Sequence, residues 1–454
     1  MPSNLVGSDL GAVSAYAYAV EHGYMGAEEE FALEQANFAK NAQQVRLDKE
    51  ATEKLATQVN NVNVESEQTM TGVIIRTTDR TGVTTETKLD SLVQINTWKD
   101  IESIVTAGVA KKYLRIGNAY NAKYRDPNTQ KEYEIPWNIV DIRNVTTPTG
   151  ETKEAVIIQL GRVLPEEVMF DAWEAFYVAK DGLVPGTYHV VIADKWGDHH
   201  KPGDTWSFTL TRPVPKGGLL AGFHDTPYSG FGSAKVESFN SLTDTTPIES
   251  VVPRKATEGK KLGDFTFAGN AQLNSIQRCC YGYNNYKQSY QRQYLNNSGK
   301  GWWVSQNEYD LPPVDYKNRF GFMTGWDAEF LSVLKPFKSI IGRNNVTDGG
   351  GTDEVNDIFV LPSLEEMNIK KQSVGEGEAL PYWKEAVGLP EPREWYQVTP
   401  ELVHLDINGT ARFVRLRSAS VYISCNAWSV STSGDVYNSN ARYTFCSAPL
   451  AAIY

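Results

Sequence analysis

The chain has 454 residues, 41% hydrophobic and 22% charged, and this length exceeds what one hydrophobic core usually organises. The formal net charge of −11, without any basic run, argues against a protein that binds nucleic acid or anionic membranes. No apolar stretch is long enough to span a bilayer, and the apolar run 12–20 has no Lys or Arg before it. We therefore expect neither a transmembrane helix nor a signal peptide.

Residues 1–62 predict a helical segment for attachment or oligomerisation. Gly and Pro are absent between Gly26 and residue 62, and a thin apolar stripe recurs at sevenfold spacing at Phe31, Phe38, Val45, Thr52 and Val59. So narrow a stripe is typical of a coiled-coil seam, which predicts self-association. The alternative is an amphipathic helix that lies on its own domain.

Residues 63–218 predict β-rich spacer modules. The stretch 64–95 is rich in β-branched residues and contains a DRTG turn, which favours strands. A helix at 98–110 is followed by predicted strands at 113–116, 132–135 and 155–160. The stretch 187–212 alternates apolar and polar residues on both sides of a polar turn. Residues 219–261 are predicted to be a loop-rich connector, because the glycine-rich run 216–235 covers its first part.

Residues 262–454 predict a ligand-binding α+β domain. Helical patterns come first, at 273–296 and 328–336, and short strands follow in DIFVLPS, FVRLRS, AWSVST and PLAAIY. The whole chain is therefore predicted to be a multidomain α+β protein, with an N-terminal helical (coiled-coil) segment, β-rich spacers and a C-terminal α+β domain.

Candidate catalytic and metal-binding groups do not assemble into a recognised motif. His199 and His200 are adjacent in a polar turn, and the acid- and amide-rich run 344–357 predicts a mobile loop, with a calcium site as the alternative. Cys425 and Cys446 have no histidine nearby that would activate a thiol. The four cysteines include no CxxC pair, so we predict no disulfide framework. We expect the chain to be made in a reducing cytoplasm. We expect no enzyme, no metal and no cofactor.

The segment 420–446 has an unusual composition: 16 of its 27 residues are Ser, Thr, Asn, Tyr or Cys. Its alternation predicts a β-hairpin that turns at SGD, with Trp428, Val430 and Val436 buried. Ser429, Ser431, Asp435 and Tyr437 would then face outwards. Tyr, Ser and Asn together are typical of antibody paratopes, which indicates a binding face. The alternative is a polar β-meander without a binding function.

The pattern LRSAS…NAWSVSTSGDVYNSNA…AP resembles the variable region that ends the target proteins of diversity-generating retroelements. In that family, template adenines are copied with errors, so asparagine codons change to those of Ser, Tyr, Thr, Asp, Cys and others. The resemblance implies a variable region at about 417–450 and a fixed scaffold at Arg417, Ser418, Ala419, Trp428, Val430, Gly434, Val436, Ala441 and Pro449. Its ligand-facing positions would be Ser420, Val421, Tyr422, Ile423, Ser424, Cys425, Asn426, Ser429, Ser431, Asp435, Tyr437, Ser439, Asn440, Arg442, Tyr443, Phe445 and Cys446.

Residues 262–454 also resemble the formylglycine-generating-enzyme-like C-type lectin domains of phage and prophage tail proteins, on pieces such as GWWVSQNEYDLPP and GFMTGWDAEFLSVLKP. The stretch AYAYAVEHGYMGAEEEF is similar to a short helical motif near the start of phage tail-fibre proteins. These resemblances imply a virion protein for host attachment, usually a homotrimer, made in the bacterial cytoplasm. Its partners would be a host cell-surface receptor, protein or glycan, and other virion proteins bound through the N-terminal segment. The alternatives are a fixed-specificity lectin, a structural fibre protein, or an oxidase of the formylglycine-generating type.

Overall fold

The computed structural model describes residues 37, 40–51, 63–69, 72–78, 82–90, 95–193, 201–222, 235–242, 244–265, 276–313, 316–370 and 375–454. The chain divides into two compact units, Met1–Asn96 and Thr97–Tyr454. The predicted domain boundaries after residues 218 and 261 both lie inside the second unit. None of the described helices is long and apolar enough to cross a membrane.

The described part of the first unit is mainly a three-stranded antiparallel meander. Its strands are β1 (Asn63–Thr69), β2 (Gly72–Thr78) and β3 (Thr84–Asp90), paired in that order. Residues 40–51 form a helix, α1, whose Val45 side chain is 42% exposed. The predicted coiled-coil segment is therefore wrong, because a stripe of one apolar residue in seven buries too little to hold a long helix. The motif at 14–31 lies outside the described residues.

The helices of the second unit are short. They are α2 (Trp98–Thr106), α3 (Ala110–Tyr113), α4 (Ile276–Tyr281), α5 (Tyr290–Leu295) and α6 (Ala328–Val333), with 3-10 turns at Tyr286–Gln288 and Pro400–Leu402 and a π turn at Tyr382–Ala386. The long helix predicted at 273–296 is broken after Tyr281. Gly282 takes a φ of +86°, and a Cβ there would lie 2.6 Å from the carbonyl oxygen of Asp171.

Strands dominate the second unit. They are β4 (Ala119–Arg125), β5 (Glu132–Thr146), β6 (Thr152–Leu160), β7 (Val168–Met169), β8 (Tyr177–Ala179), β9 (Gly186–Ile192), β10 (Thr205–Leu210), β11 (Gly218–Ala221), β12 (Val236–Ser241), β13 (Asp244–Val251), β14 (Lys260–Phe265), β15 (Leu334–Lys335), β16 (Phe337–Gly342), β17 (Thr352–Asp357), β18 (Phe359–Val360), β19 (Ile369–Lys370), β20 (Arg393–Glu394), β21 (His404–Leu405), β22 (Ala411–Arg412), β23 (Val414–Ala419), β24 (Asn426–Val430), β25 (Val436–Asn440), β26 (Thr444–Phe445) and β27 (Leu450–Ile453).

The predicted fold class is therefore wrong, because the protein is largely β rather than α+β. Strands make up 39% of the structure and helices 16%. Helices were predicted in the C-terminal region at 273–296 and 328–336. In this region α4, α5 and α6 contain only six residues each. Many of the hydrophobic side chains between these helices belong to loops and not to helices.

The largest sheet joins distant parts of the second unit. Its order is β15-β27-β6-β5-β4, so that the last strand of the chain lies between β6 and β15. Strand β26 pairs with β7, and β14 runs parallel to β9. The segment predicted as spacer modules and the C-terminal segment therefore share sheets. Rings of Trp137, Trp326 and Phe330 pack against this large sheet, with centroids 5.0–5.4 Å apart.

A buried group of acids lies beneath the C-terminal segment. Asp171, Glu174 and Asp310 are each at most 4% exposed, and Glu174 forms an ion pair with the equally buried Arg278. The main-chain N–H of Asp171 donates to the carbonyl oxygen of Ala441 at 3.1 Å. Burial, reinforced by the charges of Asp310 and Glu174, raises the pKa of Asp171 well above its usual value.

The raised pKa of Asp171 predicts how the stability of the protein depends on pH. Since the pKa of Asp171 is higher in the folded than in the unfolded chain, its stabilising contribution is complete below about pH 4 and falls as the pH rises. The free energy of unfolding of Asp171→Asn should therefore change less between pH 4 and 7 than that of the wild type. Urea unfolding at several pH values measures this, with the exposed Asp181→Asn as control. Identical pH profiles for wild type and Asp171→Asn would contradict the assignment.

Candidate ligand-binding face

The C-terminal hairpin is present as predicted. Strands β24 and β25 pair antiparallel, with Trp428 opposite Asn438 and Val430 opposite Val436. Trp428, Val430 and Val436 are at most 2% exposed. The turn closes with a hydrogen bond from Ser431 N–H to the carbonyl oxygen of Asp435, 2.9 Å. The alternation of apolar and polar residues around Trp428 therefore gave the correct register.

The outward orientation predicted for Ser429 and Ser431 is wrong. Both side chains are buried, at 0% and 4% exposure, and the Ser429 hydroxyl donates to the carbonyl oxygen of Tyr437 at 3.1 Å. The reason is strand β23, which pairs with β24 and places Arg415 opposite Ser429. The buried side chain of Arg415 therefore lies on the same face as Ser429, where it bonds the Ser439 hydroxyl, on the side that the period-two pattern assigned to solvent.

The predicted ligand-facing positions separate into three classes of exposure. Two side chains are exposed, Tyr422 at 70% and Tyr443 at 47%. Six are half-buried: Ile423, Asn426, Asp435, Tyr437, Asn440 and Arg442. Nine are buried: Ser420, Val421, Ser424, Cys425, Ser429, Ser431, Ser439, Phe445 and Cys446. All nine positions predicted as fixed scaffold are buried.

A buried arginine holds the hairpin and the segment that follows it. Arg415 is fully buried, and its guanidinium lies 4.3 Å from the ring centroid of Phe445. It donates to the carbonyl oxygens of Ala427 (2.8 Å), Ser439 (3.2 Å), Asn440 (3.0 Å) and Tyr443 (3.2 Å), and to the hydroxyl of Ser439 (2.9 Å). Burial lowers the pKa of Arg415 to about 9, so it is still charged at neutral pH.

A buried asparagine holds the loop between β23 and β24. The Asn284 side-chain amide donates to the carbonyl oxygens of Ser420 (3.1 Å), Ile423 (2.8 Å) and Asn426 (2.7 Å). Its own Oδ1 accepts a hydrogen bond from Asn344 Nδ2 at 2.8 Å. These contacts are made to the main chain of the loop. They fix the loop backbone while Tyr422, at its tip, projects into solvent.

The run 344–357, predicted to be a mobile loop, contains a strand and a hydrogen-bonded carboxylate. Residues 352–357 form β17, and the Asp348 carboxylate accepts from the hydroxyl of Tyr283 (2.7 Å) and the amide of Asn285 (3.0 Å). Within the described parts of the chain, no group of three His, Cys, Asp or Glu side chains is placed to hold a metal. His199 and His200 lie outside the described residues.

Burial keeps the thiols of the C-terminal segment neutral. Cys425 is 3% exposed and Cys446 is 0% exposed, and burial raises the pKa of each to about 12. Cys425 packs in one hydrophobic core with Cys279 and Cys280. A neutral, solvent-shielded thiol is a poor nucleophile and a poor metal ligand. The oxidase alternative needs the ionised form of these groups.

The exposed aromatic residues of the described parts of the chain lie beside this hairpin. Where the structure describes side chains, the only aromatic ones in the exposed class are Tyr396 (65%), Tyr422 (70%) and Tyr443 (47%). Tyr422 and Tyr443 lie on two neighbouring segments. A hydrogen bond from the Ala441 N–H to the carbonyl oxygen of Cys425, 2.7 Å long, joins these segments. Sequence reasoning missed Tyr396, because it lies outside the segment of unusual composition.

Comparison with known proteins adds one similarity. Residues 264–448 match the model of a family described as a domain of unknown function, DUF6273. No curated protein and no solved structure matches the chain. The matched residues include the hairpin and its Asn284 and Arg415 anchors, but not β7 or β27, through which the region joins the rest of the unit.

Replacing Arg415 with Met tests the anchor. The change leaves four buried carbonyl oxygens without their charged donor, so we expect a loss of about 3 kcal/mol or more in the free energy of unfolding. Arg415→Lys keeps the charge but cannot reach all acceptors, and should lie between Met and wild type. Chemical denaturation measures both, and Arg125→Met, at an exposed position of β4, is the control. An Arg415→Met protein as stable as this control would rule out the anchoring role.

Proposed function

We propose that this protein is a host-attachment protein of a phage or prophage, which binds a receptor on the bacterial surface through the C-terminal face. The observation that carries the proposal is the placement of the three exposed tyrosines, Tyr396, Tyr422 and Tyr443, around one hairpin. Tyrosine supplies contact area at low conformational-entropy cost, and several exposed tyrosines on one surface are typical of binding faces.

The anchoring of the face supports a binding role. Arg415 and Asn284 hold the backbone of 420–443 from below, so the exposed side chains are presented on a preorganised surface. A preorganised surface loses less entropy on binding, which raises affinity without further contacts. Half-buried Asn426 and Asn440 add amides that can donate and accept hydrogen bonds between the tyrosines.

The anchoring also supports diversification by a retroelement. Nearly all bonds from Arg415 and Asn284 end on main-chain carbonyl oxygens, which every amino acid provides. Side chains at the surface can then change while the backbone remains in place. The buried hydroxyls at Ser424 and Ser429 have no such freedom, because a larger side chain there would enter the core.

The resemblance to phage attachment proteins extends the proposal to assembly. Residues 1–62 would join the protein to other virion components, and three copies would present three faces together. Binding of several weak sites at once raises the overall avidity well above that of one site. A protein with the same face and a fixed sequence would be a lectin-like attachment protein without a retroelement.

Sequencing the 3′ end of the gene in a population grown from one clone tests the diversification. We expect changes concentrated at the exposed and half-buried positions, with Tyr422, Asn426, Asn440 and Tyr443 among the most variable. Ser424, Ser429 and Ser439 should stay constant, since they are buried. Changes spread equally over buried and exposed positions would contradict the assignment of the face, and a uniform sequence would favour the fixed-specificity protein.

Adsorption of the purified protein to a panel of bacterial strains tests the binding face. Tyr422→Ala combined with Tyr443→Ala should weaken adsorption at least tenfold, because exposed aromatic anchors typically contribute more than 1 kcal/mol each. Thermal unfolding should be unchanged, since neither ring is in the core. The matched control is Tyr133→Ala, a half-buried tyrosine on β5. Equal adsorption of the double variant and this control would exclude the face as the contact surface.

A further inference from the structure

The C-terminal hairpin leaves one sheet edge open. The strand order is β23-β24-β25, so β25 has a paired strand on one side only. The hydrogen bond from Ser431 N–H to the Asp435 carbonyl, 2.9 Å, marks one bonded pair of the β24–β25 ladder, and the bond from Ala441 N–H to the Cys425 carbonyl, 2.7 Å, marks another. Because bonded and unbonded pairs alternate in an antiparallel ladder, the main-chain N–H and C=O of Asn438 point away from β24.

Three main-chain groups on this edge have no hydrogen-bond partner among the described residues. They are the N–H and C=O of Asn438 and the N–H of Asn440, whereas the carbonyl of Asn440 accepts from the Tyr443 N–H at 3.0 Å. Buried main-chain groups are almost always paired, so these three face solvent, in agreement with the half-buried state of both asparagines. The two N–H groups are about 7 Å apart along the strand, which is the repeat of an extended chain.

Three other sheet edges of the second unit are closed. Residues 325–327 cover β4, and Arg254 exchanges two main-chain hydrogen bonds, each 2.9 Å, with Ser207 of β10. Strand β13 contains Pro247, which lacks an N–H. Proteins block sheet edges with such covering segments, with proline or with charged residues, because an open edge pairs readily with another strand. The sequence of β25, VYNSN, contains neither proline nor a charged residue.

The start of the edge is covered by another segment of the chain. The Val436 N–H donates to the Trp395 carbonyl oxygen at 3.2 Å, and the Tyr396 ring beside Trp395 is 65% exposed. A second copy of β25 cannot pair symmetrically about Asn438, because Asn440 of one copy would have to lie where Trp395 covers Val436 of the other. The strand that fits this edge therefore comes from a different polypeptide sequence.

We propose that the edge of β25 at Asn438 and Asn440 binds an extended polypeptide segment of the receptor, which pairs with it as a fourth strand of the β23-β24-β25 sheet. A donor and an acceptor on one residue, followed by a second donor two residues later, are complementary to the main chain of another strand. This inference rests on the proposed attachment function and names the class of its receptor as a protein.

Strand addition is compatible with side chains that change. Main-chain hydrogen bonds supply affinity whichever side chains are present, and the side chains beside the edge supply specificity. Tyr437 and Tyr443 lie on β25 and just after it, in the segment predicted to vary. Arg393 and Glu394, which precede Trp395, are half-buried and carry opposite charges. The main chain of β25, and not a net charge, therefore selects the class of ligand.

Hydrogen exchange of the wild-type protein tests the edge directly. In the free protein, the amides of Asn438 and Asn440 should exchange at least about tenfold faster than those of Tyr437 and Ser439, which pair with β24. The probe is a peptide selected on the full chain from a display library of random linear peptides. In its complex, both fast amides should slow at least about tenfold. Fast exchange that persists in the complex overturns the pairing.

Proline at position 438 tests the same contact by substitution. Asn438→Pro removes the outward N–H and no bond of the β24–β25 ladder, whereas Asn438→Ala removes the side chain and keeps the N–H. The selected peptides should bind Asn438→Pro at least about tenfold more weakly than wild type, and Asn438→Ala should lose much less affinity. Circular dichroism and thermal unfolding show whether both variants fold. If the proline variant does not fold, the exchange of the wild type decides.

Adsorption to bacteria connects the edge with attachment. A strain that adsorbs the protein is treated with proteinase K, which removes surface proteins, or with periodate, which oxidises glycans. Adsorption should be lost after proteinase K and retained after periodate, and Asn438→Pro should adsorb at least about tenfold less than wild type.

The outcomes separate the edge from the attachment function. Peptides that bind wild type and Asn438→Pro equally overturn the edge, and so does a dimer of the protein that Asn438→Pro abolishes, which would assign the edge to a second copy. Adsorption that survives proteinase K makes the receptor a glycan, so the edge proposal is wrong and the attachment function stands. If peptides bind through the edge and no strain adsorbs the protein, the edge stands and the attachment function is wrong.

Discussion

The face depends on a buried cation held almost entirely by main-chain oxygens. The guanidinium of Arg415 bonds carbonyls from β24, from β25 and from the turn that carries Tyr443. Because burial of an unpaired charge is unfavourable, these carbonyls must converge on Arg415 for the domain to fold. The same requirement fixes the course of the backbone on which the exposed side chains stand. Stability of the fold and geometry of the face thus have one physical origin.

The support for the face comes from the whole second unit. Strand β7 pairs with β26 directly after the hairpin, and β27 completes the sheet that begins with β4. Asn284 reaches the loop of Tyr422 from the segment between α4 and α5. Strands β6 and β7, which come long before the hairpin in the chain, are therefore part of the platform for the C-terminal segment. Residues far from the loop in the sequence hold its backbone, so a side chain in the loop can be replaced without loss of these contacts.

The sequence predicted those features that depend on neighbouring residues. The period-two pattern located the hairpin and its buried Trp428, Val430 and Val436. It placed Ser429 on the surface, because the pairing of β23 with β24 is a long-range event. Arg415 and Asn284 were missed for a related reason: their partners are main-chain carbonyls, which leave no signal in the residue types. The helix content was overestimated in part because Gly282, with a φ of +86°, interrupts the long helix predicted at 273–296.

The most direct test of the binding face is side-chain footprinting by hydroxyl radicals, with the protein free and with the protein adsorbed on a bacterial strain that it binds. Exposed tyrosines are oxidised readily, and contact with a receptor shields them. The account predicts that Tyr396, Tyr422 and Tyr443 are protected together on adsorption, while exposed side chains elsewhere, such as Val184 and Val304, react as before. Unchanged oxidation of all three tyrosines, with protection at another surface of the protein, would contradict it.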